Sequence, residues 1–256
     1  MNGQPYVKSE THQSITTIEF YHPQSNSLPA TLLHDLAQAI HHAGMDFTTK
    51  VIVLRSAGDR AFCAGASFDE LTSLKTHEDG LKFFSGFGHV INAMRKCPKL
   101  IIARVQGKSV GGGVGIVAAA DYAIAVEGAE IKLSELSIGF GPFVIAPAVE
   151  RKIGKSAFSS LAIDATMWRK AEWALRKGLF SELHHTKEEM DESVSRLAHA
   201  LSHSSVDAMS ELKQVLWAGT EHWDQLLTER AAISGRLALG GFTRDALAKL
   251  ARKSGT

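Results

Sequence analysis

Polar and apolar residues alternate from Ser14 to Tyr21, with Thr16, Ile18 and Phe20 on one face, as in a half-buried strand. Helical spacing follows at Leu32, Leu36 and Ile40, with Ser27 as N-cap, Pro29 in the first turn and Gly44 at the end. Lys50 to Leu54 is apolar and β-branched past its opening lysine and reads as a buried strand, and Leu100 to Val105 reads as another strand. Between them, Leu71 to Met94 carries scattered apolar positions that fit one or two helices. Gly107 to Gly115 is dense in glycine and runs into Ile116 to Ala120, which predicts a tight turn, a closely packed helix and then a strand over Asp121 to Val126. Strands alternating with helices place the core in the α/β class.

Past residue 188 only helical periodicity is left. Met190, Val194, Leu197 and Leu201 make one apolar stripe, Met209, Leu212 and Leu216 a second, and two more helices fit Trp223 to Leu239 and Thr243 to Lys253. The predicted organisation is an α/β core over 1–187 and a helical region over 188–256. No Pro-, Gly- and Ser-rich linker separates them, so the tail is expected to pack on the core or on a neighbouring copy.

Composition narrows the function classes. Of 256 residues, 45% are hydrophobic and 21% charged, as in ordinary globular chains. With 28 Lys and Arg against 27 Asp and Glu, nothing in the charge balance asks for nucleic acid. The cysteines, Cys63 and Cys97, lack metal-site or CxxC spacing, which suggests a reducing, cytoplasmic setting. The polar opening and the absence of a long apolar run lead us to expect neither export signal nor membrane anchor.

Three segments can carry chemistry. In Arg60-Ala-Phe-Cys-Ala-Gly-Ala-Ser-Phe-Asp-Glu-Leu71, the small residues Ala64, Gly65 and Ala66 let backbone approach a ligand. In Gly107-Lys-Ser-Val-Gly-Gly-Gly-Val-Gly115, amides open a predicted helix, where free N–H groups and the dipole favour negative charge. In Lys132-Leu-Ser-Glu-Leu-Ser-Ile-Gly139, Glu135 stands among apolar neighbours. A Phe-x-Ala-Gly-x segment, then a strand ending in Gly-Gly-Gly, then a Glu closely followed by Ile-Gly, resembles the crotonase (enoyl-CoA hydratase/isomerase) family from about residue 14 to 180.

The resemblance implies a spiral of ββα units with a C-terminal helical subdomain, and an acyl-CoA substrate in which coenzyme A is part of the substrate rather than a cofactor. It implies that the N–H groups of Ala66 and Gly112 hold the thioester oxygen while Glu135 acts as general acid/base, its pKa raised by apolar surroundings. Arg60, Ala64, Gly65, Ala66, Phe68, Leu71, Gly111, Phe140 and Lys249 are the expected substrate and CoA contacts, with Arg252 and Lys253 as looser ones. A homotrimer or a dimer of trimers built through the tail is also implied.

One departure matters. The family's hydratases carry another glutamate two residues after the glycine triplet, and Gly115 stands there. Hydration uses one carboxylate to position water and one to move a proton, whereas shifting a double bond needs a single base. The expectation is therefore isomerisation ahead of hydration by Glu135 alone. The acyl pocket is expected around Phe68 to Leu74, Phe83 to Phe87 and Phe140 to Ile145.

Rival readings exist. Gly107-Lys-Ser-Val-Gly111 fits a nucleophile elbow, with Ser109 attacking and Asp121 or Asp164 and His184 or His199 completing a triad. The glycines lack the Gly-x-Gly-x-x-Gly spacing of a dinucleotide site. His199 and His203 share a helical face without a third metal ligand, so no metal is expected. A non-catalytic acyl-CoA-binding member of the family is the last alternative.

Overall fold

The computed structural model describes residues 3–254. Strands β1 (Tyr6–His12) and β2 (Ile15–Tyr21) form an antiparallel hairpin, turned by Gln13 and Ser14 at φ +49° and +63°. Positive φ at both turn residues matches the right-handed twist of the strands they join. β3 (Val51–Ser56), β4 (Leu100–Val105), β6 (Tyr122–Val126) and β8 (Glu182–His184) add in parallel to give a six-stranded sheet in the order β1-β2-β3-β4-β6-β8. A second, two-stranded sheet pairs β5 (Ser109–Val110) with β7 (Ile131–Lys132). A bridge from Cys63 to Ser109 extends it.

Three times the chain runs from a large-sheet strand through the small sheet to a helix. β3 leads through Cys63 to α2 (Phe68–Ser73) and α3 (His77–Lys96); β4 leads through β5 to α4 (Gly112–Ala119); β6 leads through β7 to α5 (Ala146–Ile163), interrupted at Gly154 with φ +78°. This repeated ββα path brings the ends of the small-sheet segments, near Ala66, Gly112 and Glu135, to one edge. The alternating β/α pattern of the sequence and the crotonase-like spiral are both present.

The hairpin holding β1, the helix α5 and the short α6 (Ala171–Arg176) and β8 escape the periodicity reading. β1 is an edge strand exposed over most of its length, and α5 opens on Ala-Pro and breaks at a glycine, so neither carries an unbroken apolar stripe. The start of α1 (Ala30–Met45) also differs from expectation. Pro29 takes the cap position, the Ser27 hydroxyl bonds His22 Nδ1 at 3.1 Å, and the Ala30 amide donates to Glu70 Oε2 at 2.8 Å, so α2 caps α1.

The tail is packed on the core. α7 (Lys187–Ser202) lies against β3, β4 and β6, and α9 (Trp223–Ala238) runs along α3. There a methyl added to Gly80 would stand 2.7 Å from the Gly235 Cα, so the two helices touch backbone to backbone. α8 (Val206–Trp217) corrects the second predicted stripe: Met209, Lys213 and Trp217 face inward while Leu212, Val215 and Leu216 are exposed. The inward face is set by Asp121, whose buried carboxylate accepts Lys213 Nζ at 2.7 Å, Trp217 Nε1 at 3.0 Å and the Ile101 amide at 2.7 Å. A paired charge can sit inside where hydrophobic spacing alone predicts a leucine. α10 (Gly241–Ser254) covers the turn at Glu135–Ile138. Among the described residues no helix is long and apolar enough to cross a membrane.

Candidate active site

A cavity of about 730 Å³ opens where the three small-sheet segments end. Its wall includes Ala64, Gly65, Ala66, Gly111, Gly112 and Glu135 from those segments, with Phe68, Leu71, Phe83, Phe84 and Phe87 from α2 and α3. Phe140, Val144 and Ile145 close it from the loop after Glu135, and Phe242 and Lys249 from α10. Ten of the residues singled out by sequence as site residues thus meet in one cavity. Arg60 does not: it is exposed and stands outside the cavity wall, as does Arg252, while the Lys253 side chain lies outside the described residues.

The glycine-rich loops are drawn together by backbone hydrogen bonds. The Val110 amide donates to the Cys63 carbonyl and the Gly111 amide to the Lys132 carbonyl, both at 2.9 Å, and the Leu28 amide donates to the Gly65 carbonyl at 2.8 Å. Gly65 has φ +90°, and a methyl on it would sit 3.0 Å from the Val110 oxygen and 3.9 Å from the Gly112 nitrogen. Only glycine takes this backbone and this approach together. The Gly65 amide in turn donates to Cys63 Sγ at 3.4 Å, and burial pushes that thiol up to about 12, so it packs rather than reacts. Among the described residues the amides of Ala66 and Gly112 donate to no backbone carbonyl, and both residues line the cavity, as an oxyanion-binding pair requires.

Glu135 opens a single 3₁₀ turn, Glu135–Ile138, that ends at Gly139 with φ +100°. Its carboxyl packs on Gly111, where a methyl would come within 2.8 Å of Oε1, and its Oε2 is buried without a hydrogen-bond partner among the described residues. Burial pushes the group from 4.5 up to about 7, opposed only by its own backbone amide. Such a carboxyl exchanges a proton readily near neutrality.

Gly115 is not an empty position. A methyl there would fall 2.4 Å from Ile145 Cγ2, so the buried Ile145 side chain occupies the space that a glutamate on α4 would need. Spacing alone identified the missing residue and not the group filling its place.

The alternative triad is not assembled. Ser109 is fully buried in β5, outside the cavity wall, and its Oγ has no hydrogen-bond partner among the described residues. Asp121 is held by Lys213 and Trp217, Asp164 by Arg169 at 3.1 Å, and His184 by Glu182 at 3.2 Å. At the C-terminal end of α7, His203 Nδ1 lies 2.8 Å from the His199 carbonyl, and among the described residues no three potential metal-ligating side chains cluster.

Sequence reading missed two kinds of residue. Buried Asn26, at φ +55°, donates through Nδ2 to the Ala57 and Ala61 carbonyls, both at 2.9 Å, and so ties down the loop leading to Phe62. Trp168 also lines the cavity, beside Lys132, because Arg169 bridges Ile131 through bonds of 2.9 Å in both directions. A lone tryptophan far along the chain carries no pattern that would flag it.

A model of the enoyl-CoA hydratase/isomerase family matches residues 10–237. A Bacillus subtilis (strain 168) protein named "Probable enoyl-CoA hydratase" is 28% identical over 207 residues, 80% of each chain. The peroxisomal Delta(3,5)-Delta(2,4)-dienoyl-CoA isomerase of Arabidopsis thaliana is 24% identical over 231 residues, 84% of this chain and 81% of its own. In three dimensions the crystal structure of enoyl-CoA hydratase from Bacillus halodurans superposes with a TM-score of 0.88 at 24% identity, covering 95% of this chain and 99% of that one, and so shares the fold.

Proposed function

The chain belongs to the enoyl-CoA hydratase/isomerase family, and we propose that it moves a double bond within an acyl-CoA thioester, with Glu135 as the single proton carrier. The thioester oxygen accepts hydrogen bonds from the Ala66 and Gly112 amides. Glu135, ionised, takes a proton from the carbon next to the carbonyl or one conjugated with it, leaving an enolate whose charge those amides stabilise. The carboxylic acid then returns the proton to the other end of the conjugated system. Mass and charge are conserved, no water enters, and one oxyanion donor is worth about 2.7–4 kcal/mol of transition-state stabilisation.

The observation that carries this reading is Ile145 in the place of a second carboxylate, beside a Glu135 pushed up to about 7. A second reading, hydration through Glu135 alone, is favoured by the relative named as a hydratase. Incubation with trans-2-enoyl and 3-enoyl thioesters of coenzyme A separates the two: absorbance changes without a mass change mark isomerisation, and the gain of one water marks hydration. Either activity is expected to vanish in Glu135→Gln and to survive in Ser109→Ala. A fully active Glu135→Gln variant would overturn the assignment, and an inactive, folded Ser109→Ala variant would revive the hydrolase reading.

Two coarser expectations join the proposal. The protein works without a cofactor and in the cytoplasm. It assembles as a trimer or a dimer of trimers through the helical tail, whose α8 turns Leu212, Val215 and Leu216 outward. Sedimentation of the wild type against Val215→Glu tests the assembly, which the variant should weaken.

A further inference from the structure

Lys132 sits on β7, paired in register with Val110, and both line the cavity. Its ammonium nitrogen lies 4.8 Å from the centre of the Trp168 ring, and Lys108 stands over the same ring at 4.5 Å. The two lysines are not equivalent. Lys108 is neutralised by Glu130 at 2.7 Å, whereas the ion pairs among the described residues include none for Lys132. Nor is Lys132 a counterion to Glu135, whose shift arises from burial and its own amide with no contribution from a neighbouring cation. The cavity's other lysine, Lys249, shares the wall with Asp245, one turn earlier on α10. The ammonium of this half-buried lysine, resting on an aromatic face beside a mostly apolar cavity, has its charge only partly compensated until a ligand supplies an anion.

Position indicates which anion. The Lys132 carbonyl accepts the Gly111 amide at 2.9 Å, so its backbone adjoins the residue before Gly112. One strand spacing, one lysine side chain and one hydrogen bond together keep the ammonium within roughly 14 Å of the thioester oxygen site. The pantetheine arm of coenzyme A, when extended, carries its nearest phosphate beyond that reach, whereas a carboxylate at the far end of a short acyl group falls inside it.

We propose that Lys132, seated on Trp168, is a specificity-determining residue that binds a carboxylate carried by the acyl group, so that the preferred substrates are monothioesters of short dicarboxylic acids. The proposal rests on the acyl-thioester reading above. The cation–π seat holds the ammonium in place while leaving donor hydrogens for the ligand, and the phenylalanines of the cavity take the apolar part of the chain.

Affinity for matched pairs of non-reacting saturated thioesters, one with a terminal methyl and one with a terminal carboxylate, tests it. Each is offered both as the coenzyme A thioester and as the pantetheine thioester, which has no phosphate. Wild type should favour the carboxylated member of each pair. Lys132→Met should weaken that member about 10- to 100-fold, leaving the methyl member within about threefold, and Lys132→Arg should restore most of the preference. Trp168→Leu, which keeps the charge and removes its seat, should give an intermediate loss. A loss in Lys132→Met common to both coenzyme A thioesters and absent from both pantetheine thioesters would show that Lys132 meets a phosphate and overturn the carboxylate assignment. Equal binding by wild type and a folded Lys132→Met variant would overturn it as well. Failure of the wild type to bind any thioester would instead bring down the functional reading, and this inference with it.

Discussion

Replacing Glu135 by glutamine should make the folded protein more stable in mild alkali and change it less in acid. The carboxyl is pushed from 4.5 up to about 7 by burial, so the folded state resists its ionisation while the unfolded chain does not. The sign follows from linkage: a carboxyl raised on folding destabilises the fold progressively as pH climbs from the exposed value through the folded one. The penalty is absent below about pH 4, where both states are protonated, reaches about 1 kcal/mol at pH 5 and about 3 kcal/mol at pH 8. Glutamine has nearly the same shape and no charge to desolvate. Urea unfolding of both proteins at pH 5 and pH 8, followed by tryptophan fluorescence, should therefore show an advantage for the variant that grows by about 2 kcal/mol between the two conditions. At pH 8 that advantage corresponds to a rise in Tm of about 6–12 °C for a chain of this size. Equal stabilities at pH 8, or a difference that does not move with pH, would show the carboxylate to be solvated or compensated in the fold and remove the physical reason for treating it as a poised base.

Three further outcomes are expected. In the wild type kcat/KM should rise about tenfold from pH 6 to pH 8 with a midpoint near 7, because in the proposed reaction the ionised form of Glu135 takes the first proton; a flat profile would exclude it as the base. Gly112→Ala places a methyl 2.2 Å from the Phe87 ring and should displace the oxyanion amide, lowering kcat about 10²–10³-fold, as steady-state kinetics with a short enoyl thioester would show; a change under threefold would dissociate that amide from catalysis. Lys213→Met leaves the buried Asp121 carboxylate without its cation and should cost about 3–5 kcal/mol in urea unfolding while kcat/KM stays near wild type, since the pair lies outside the cavity wall.

Much of this was legible from residue order because the relevant interactions are local. Glycine at 65 and 111 answers to a positive φ, and the small residues at 64 and 66 to a close backbone approach; both demands leave their mark on composition. Likewise 51–54 and 100–103, the buried stretches of β3 and β4, are unbroken apolar runs because both faces are covered there. What escaped depends on partners distant in sequence. The α1 N-terminus borrows its cap from Glu70, α8 turns a lysine inward for Asp121, and Trp168 reaches the cavity through a bridge to β7. Neither partner's local pattern announces such pairings. Arg60 differs in another way: it adjoins a functional segment in sequence, yet it is exposed and stands outside the wall of the cavity that segment builds.

The contact between Gly115 and Ile145 bears on how this chain could change its chemistry over successive generations. Inserting a glutamate at 115 first would drive it into the isoleucine, an overpacking that costs about 1–3 kcal/mol or more; trimming Ile145 first would hollow out the core at a cost of about 2–5 kcal/mol. Each single step crosses a less stable protein, and only the pair together offers a second carboxylate. Packing therefore acts as a ratchet: with the isoleucine filling the gap, drift toward a second carboxylate is opposed by stability before selection on activity can act, so a lineage would be expected to exchange positions 115 and 145 jointly or not at all.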